Sequence, residues 1–333
     1  MTIFIRKRYY GFFIFAILVI VISIYQFRNS EATSNYKIGL ISNNPNGIRN
    51  VIGFKDALSS LGYVEDINTT YIFSGKPTPR NELRDVISAF VEDDVDLIFT
   101  AGTPTGMAAW TVTQDTSIPV VFGVVADPLT AGIIDSYDTP GGNMTGIMLS
   151  KNQARRLELL KEFFPSIKRV LLPYNPDDPA PRDAAIQLSN IAAQLNVELL
   201  HRHAQTSDEA LELIKGITNE YDAVFMLPDS IVNRQLSELI SRTNALGIPV
   251  SGPSSTQAEG GATMSYGIVH GKVGAQAAPI ADKILQGADP ATVPIQEGAF
   301  FLVVNLAATK RMGIPISEEN IKRADVVLRQ DKL

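Results

Sequence analysis

From Tyr36 onward the chain alternates short β-rich runs with amphipathic stretches, and the alternation runs through twice. Strands that alternate with helical patterns call for parallel sheets covered by helices. The run Ile118 to Val125 is almost unbroken in its apolar character, as a strand buried on both faces requires. In the first block, strands are predicted over Tyr36–Ser42, Thr69–Phe73, Val95–Thr100 and Ile118–Val125. Helices are predicted over Gly47–Leu61, Asn81–Val91 and Pro104–Val112. In the second block, strands are predicted over Arg169–Tyr174, Val197–Leu200, Ala223–Leu227 and Ile248–Ser251. The helices are Arg182–Leu195, Ser207–Ile217 and Ile231–Ala245. The expected fold is therefore α/β, with two doubly wound, Rossmann-like lobes. The glycine-rich stretch Gly141 to Gly146 is read as the link between them.

The tail points to a clamp rather than two separate beads. Gly261–Gly267 reads as a second crossing strand, Lys272–Leu285 as a helix that Pro279 should kink, and Phe300–Asn305 as a late strand. More than one crossing gives a hinge with a cleft at its centre. The expected division is 36–146 for the first lobe with part of 268–299, and 147–267 for the second with part of 300–333.

Residues 1–32 read as an address. Arg6, Lys7 and Arg8 precede an uncharged apolar run from Tyr9 to Phe27, the layout of a secretory signal or of a membrane anchor. The two readings stay open, with Ser30-Glu31-Ala32 as a cleavage site. Either puts the folded part outside the cytoplasm, in the periplasm or on the outer face of the membrane.

The 333 residues are 45% hydrophobic, enough for two cores, and the formal net charge of -6 gives no reason to expect nucleic acid. The absence of cysteine excludes a disulfide framework, a thiolate nucleophile and a lipid-modified N-terminal cysteine. His201 and His203 fall on one face of a strand, with no third histidine nearby, and read as solvent-facing rather than metal-binding. Neither a dinucleotide fingerprint nor a phosphate-binding lysine loop is present, and no catalytic constellation can be placed. No cofactor, no metal and no enzymatic activity are expected.

Ligands of doubly wound sheets sit beyond the carboxyl ends of the strands. Gly102 and Thr103 lie there, between a strand and a helix N-terminus suited to an anion, although a plain helix cap explains them as well. Asp127 ends the next strand as a ligand group or a turn former. Asp229 ends a strand of the second lobe, where it can meet a ligand amine, cap the following helix, or do both. Asn44, Asn175 and Tyr266 fall in cleft-facing loops or crossings, with Tyr266 able to stack on a ligand.

An ordered series of short motifs carries a resemblance. It runs from Leu97-Ile98-Phe99-Thr100-Ala101-Gly102-Thr103-Pro104 through Ile118-Pro119-Val120-Val121-Phe122 to Ala126-Asp127-Pro128 with Ala131-Gly132. It continues with Asn143-Met144-Thr145-Gly146, Tyr174-Asn175-Pro176, Ser265-Tyr266-Gly267 and Ile284-Leu285-Gln286-Gly287, and ends with Leu302-Val303-Val304-Asn305 and Arg323-Ala324-Asp325. The series resembles the substrate-binding proteins of ABC transporters of the tryptophan-binding type. That resemblance implies the type I periplasmic-binding fold, a small-molecule ligand such as an amino acid, and an ABC permease as partner. It also implies a monomer that does no chemistry. One departure stands out: this branch carries a histidine before the proline after the first strand, where this chain has Asn44-Pro45. The rival reading is the same clamp passing its bound state to a separate membrane signalling partner. An envelope enzyme is disfavoured for want of catalytic residues, and a repressor for want of an N-terminal DNA-binding helix pair.

Overall fold

The computed structural model describes residues 35–149 and 153–330. The basic and apolar segment read as signal or anchor lies outside those residues. Among them, no helix is long and apolar enough to cross a membrane.

The chain builds two sheets. The first contains β1 (Tyr36–Ser42), β2 (Thr69–Ile72), β3 (Leu97–Ala101), β4 (Val120–Val125), β5 (Met144–Met148) and the short β11 (Gln296–Glu297). Their order is β11-β5-β4-β3-β1-β2, and every neighbouring pair is parallel. The second contains β6 (Arg169–Tyr174), β7 (Glu198–His203), β8 (Ala223–Phe225), β9 (Val250–Ser254), β10 (Met264–Ile268), β12 (Phe301–Asn305) and β13 (Val326–Leu328). Its order is β13-β12-β10-β9-β8-β6-β7. Counted within its own sheet, each begins 2-1-3-4-5, the doubly wound order whose switch point lies beside the first strand. Among the described residues only the β10–β12 pair is antiparallel.

Helices cover both faces of each sheet. On the first sheet, α1 (Pro45–Ser60) packs on one side, with α2 (Leu83–Glu92) and α3 (Thr103–Thr113) on the other. The second sheet has α4 (Gln153–Phe163) and α5 (Pro179–Gln194) on one side. Its other side carries α6 (Ser207–Lys215), α7 (Ser230–Arg234) and α8 (Leu236–Leu246). Further along are α9 (Ser255–Glu259), α10 (His270–Leu285), α11 (Leu306–Arg311) and α12 (Glu318–Arg323). Local chemistry sets many of these ends. Asn44 caps α1 by accepting the Gly47 N–H at 2.9 Å, and Pro45 occupies the first turn, where its missing N–H costs nothing. Gly247 stops α8 in the left-handed conformation at φ 67°.

Helix α10 lies far along the chain yet packs on the first sheet. Val273, Ala277, Ala278, Ile280, Ala281 and Ile284 join a core with Phe54 and Phe99, whose rings stack at 3.9 Å. Its contact with α1 is backbone against backbone. A Cβ on Gly53 would lie 1.9 Å from the Gly271 carbonyl oxygen, and one on Gly274 would lie 1.9 Å from that of Asn50. Small residues at both positions are what let the helices approach this closely.

The structure differs from the sequence reading at several points. The stretch read as the link continues into β5, the fifth strand of the first sheet, and the chain crosses only after Met148. The helix expected over 231–245 is two helices broken at Gln235. α10, with Pro279 inside it, begins at His270, two residues before the expected start. β5, β11, β13, α4, α9, α11 and α12 had no counterpart among the predicted elements. Among the described residues the chain passes between the sheets three times: after β5, between β10 and α10, and between β11 and β12.

Candidate functional site

The carboxyl edges of the two sheets face each other across a cavity of about 410 Å³, a volume within the range of small-molecule sites. The first sheet supplies Asn46 beyond β1, Ala126 and Asp127 beyond β4, and Leu149 beyond β5. The second supplies Pro228 beyond β8, Pro253 and Ser254 at the end of β9, and Tyr266 and Ile268 of β10. Helices complete the wall with Gln153 of α4, Ala180, Asp183, Ala184 and Gln187 of α5, Asn233 of α7, and Gln257 of α9. His270 and Phe300 enter from two of the crossings.

The apolar part of this wall has an aromatic corner. The rings of Tyr266 and Phe300 lie 5.6 Å apart at 39°, a tilted pair of the spacing aromatic groups favour. The polar part is held in place. Gln257 Oε1 accepts both the N–H and the hydroxyl of Ser254, at 3.0 and 2.8 Å, and its amide nitrogen donates to Asn233 at 3.1 Å. His270 opens α10, and burial with the nearby Arg49 guanidinium pushes its pKa down to about 4. It is a neutral ring at physiological pH. Arg49 pairs with Glu259 at 2.9 Å, and the Thr256 hydroxyl donates to Asn46 at 3.3 Å. Both contacts tie the start of α1 to α9.

Two of the sequence-predicted site residues, Asp127 and Tyr266, line this cavity. The Asp127 carboxylate accepts the Thr130 N–H and hydroxyl, at 3.1 and 2.9 Å, and the Tyr137 hydroxyl at 3.0 Å. It serves the turn and the wall at once. Thr103 lines a second, more open cleft of about 940 Å³, which shares Ala180 with the first and runs between Pro104 of α3 and Asp178 before α5. Its hydroxyl oxygen accepts the Ala126 N–H at 3.0 Å, stitching α3 to the end of β4. Gly102 sits at φ 120°, ψ 152°, a conformation reserved for glycine, and its N–H donates to the Val124 carbonyl at 3.1 Å.

The remaining predicted residues hold loops together. Asn44 caps α1, and its amide nitrogen donates to Asn43 at 3.1 Å. Asn175 forms a turn with Asp177, its side-chain oxygen accepting that N–H at 3.0 Å. Asp229 is 1% exposed and accepts three backbone N–H groups: Ile231 at 2.8 Å, Val232 at 2.9 Å and Asn175 at 2.6 Å. Those bonds cap α7 and join the loops after β6 and β8. None of the three lines the cavity. His201 and His203 stand on the edge strand β7, away from it, and His203 meets the Tyr174 hydroxyl at 3.2 Å.

Several wall residues escaped the sequence reading. Gln153 lies on α4, which was not predicted at all. Asn46 lies two residues beyond Asn44, and Phe300 was read only as the start of a strand. The one available signal was position: each follows a strand or a crossing.

The comparisons with known proteins agree with this geometry. The sequence pattern of the ABC transporter substrate binding protein family matches residues 38–328. A protein of Clostridioides difficile named "Tyrosine-binding protein" is 26% identical over 296 residues, covering 88% of this chain and 85% of its own length. The ligand-free, open structure of a substrate binding protein with adhesive properties from Clostridium difficile superposes with a TM-score of 0.76 at 26% identity, covering 89% of this chain and all of its own. An ABC domain from Streptococcus pneumonia, solved in complex with L-Trp, shares the fold with a TM-score of 0.72 at 22% identity, covering 89% of this chain and 100% of its own. With a match that spans nearly the whole described chain, and with paired doubly wound sheets closing on one cavity, the protein belongs to the ABC transporter substrate-binding protein family, whose members capture a solute for transport.

Proposed function

We propose that this chain captures an aromatic amino acid outside the cytoplasm and hands it to the permease of an ABC importer, acting as a monomer and leaving its ligand chemically unchanged. The observation that carries the reading is the Tyr266–Phe300 corner of an interlobe cavity that also holds the carboxylates of Asp127 and Asp183. An aromatic side chain packs on the two rings, and an ammonium group is drawn to the carboxylates. The relationship to a protein named for binding tyrosine supports the same class of ligand. Asn44-Pro45 departs from the histidine of the tryptophan-binding branch. The Asn44 side chain is committed to capping α1 and lies off the cavity wall, so the departure does not count against an aromatic ligand.

In this proposal, Asp127 and Tyr266 touch the ligand. Asn44, Gly102, Thr103, Asn175 and Asp229 shape the loops that present the wall. The two sheets move as lobes about the three crossings, and contacts made from both walls favour the closed form. The N-terminal segment acts as signal or anchor and sets the location.

Thermal denaturation of the purified folded part with each of the common amino acids tests the reading. A ligand that binds only the folded state raises its melting temperature. L-Tyrosine or L-tryptophan should give the largest rise, and calorimetry should return the compound unaltered. A rise for none of the aromatic amino acids would overturn the proposal.

A further inference from the structure

Arg156 of α4 is buried to 1% exposure, and among the described residues no carboxylate pairs with it. Its guanidinium donates to the Met226 carbonyl at 2.6 Å, to the Ser251 carbonyl at 3.3 Å and to Gln153 Oε1 at 2.7 Å, and it lies 3.7 Å from the centre of the Phe225 ring. Its Nε has no acceptor. Burial alone acts on its proton affinity, lowering it, with no neighbouring anion to offset that. An arginine nonetheless stays protonated in a protein, so a full positive charge sits here, and among the described residues it meets only neutral dipoles and a ring face. Buried charges are ordinarily paired, because removing one from water is costly.

The guanidinium has donors only, so Gln153 must turn its amide oxygen toward it. The amide –NH₂ then points away from Arg156, and no acceptor for it exists among the described residues. Gln153 is a wall residue of the interlobe cavity. Arg156 therefore stands one side chain behind that wall, fixing which face of the amide is presented.

We propose that Gln153, oriented and polarised by Arg156, forms the subsite for an anionic group of the ligand, a carboxylate, and that the bound carboxylate supplies the counter-charge the buried guanidinium lacks. This rests on reading the cavity as the ligand site, and it adds a selection: acids are held and their amides are rejected. Arg156 acts through Gln153 as a positioning residue.

The experiment uses matched pairs, each an acid and its neutral amide: L-tyrosine and L-tyrosinamide, L-tryptophan and L-tryptophanamide, phenylacetate and phenylacetamide. Calorimetry on the purified chain should show the acid binding about tenfold tighter or more, as expected for a hydrogen bond to a charged group. In Gln153→Glu the new carboxylate takes the counter-ion role itself. The preference should vanish or reverse, and the melting temperature without ligand should rise. Gln153→Leu, which keeps the volume and loses the donor, should lose the preference without that rise. An amide bound as tightly as its acid by the unmodified chain would overturn the subsite, and so would a lower melting temperature for Gln153→Glu. If phenylacetate binds but neither amino acid does, the aromatic amino-acid reading fails while the subsite stands. If no compound binds, the ligand-free melting temperatures decide alone.

Discussion

The Asp229 carboxylate takes the backbone N–H of Asn175 at 2.6 Å, across two loops that are 54 residues apart in sequence. With its other oxygen it caps α7, accepting two further N–H groups. All of this happens in a side chain 1% exposed. Asp229→Ala leaves three backbone donors, one of them fully buried, without that acceptor. Each unsatisfied group costs about 1–3 kcal/mol, and partial access to water offsets some of that, so a total loss of about 2–4 kcal/mol is expected. Urea denaturation without ligand measures it. A loss below about 1 kcal/mol would show that the carboxylate is not the structural tie described here.

The Tyr266–Phe300 corner should set affinity more than stability. Tyr266→Leu keeps an apolar side chain in β10 but removes the ring. An aromatic pair contributes about 0.5–1.5 kcal/mol beyond its area, so affinity for L-tyrosine should fall roughly 3- to 10-fold. Titration calorimetry reads this directly, and an unchanged Kd would remove Tyr266 from the ligand contact surface.

His270 makes stability depend on pH. Its pKa in the folded chain is about 4, against about 6.5 when unfolded, so between those values the unfolded state binds more protons. Stability attached to this group is therefore complete above about pH 6.5 and is lost as pH falls toward about 4. Between pH 7 and pH 4.5 the expected loss is about 2 kcal/mol. His270→Gln removes the titration. Urea curves at both pH values should show a smaller acid loss for the variant than for the unmodified chain, and equal losses would contradict the buried neutral ring.

The α1–α10 contact is the tightest helix packing described above. Gly274→Ala would normally add about 1 kcal/mol of helix propensity. Here the new methyl meets the Asn50 carbonyl oxygen at 1.9 Å, and the helices must separate. Overpacking of this kind costs typically about 1–3 kcal/mol, so the overlap outweighs the propensity and the variant should melt lower.

The paired α/β units were legible because the apolar period changes cleanly between strand and helix, most clearly at Ile118 to Val125. Elements with a weak period were not. α4 begins with Gln153-Ala154-Arg155-Arg156, whose arginines mask an apolar face, yet Arg156 turns inward and is buried. β5 opens behind two glycines and so read as a link, although its register against β4 fixes it in the sheet. The site was legible only in part. Strand ends can be located from sequence, which is why Asp127 and Tyr266 line the cavity. Whether a side chain at a strand end faces the cleft or the neighbouring loop depends on tertiary hydrogen bonds such as those of Asp229, and no local pattern records them.

The close approach of Gly53 to Gly271, and of Gly274 to Asn50, joins positions roughly 220 residues apart in sequence. During synthesis, α1 therefore has an apolar face with no cover until α10 emerges, by which time β6 to β10 of the second sheet have already been made. The second sheet in turn waits for β12 and β13. Neither lobe is a continuous stretch of chain, so no single cut yields a whole one. Assembly is governed by long-range closure, which favours slow folding and a partly covered intermediate in which the first sheet has formed without its last helix.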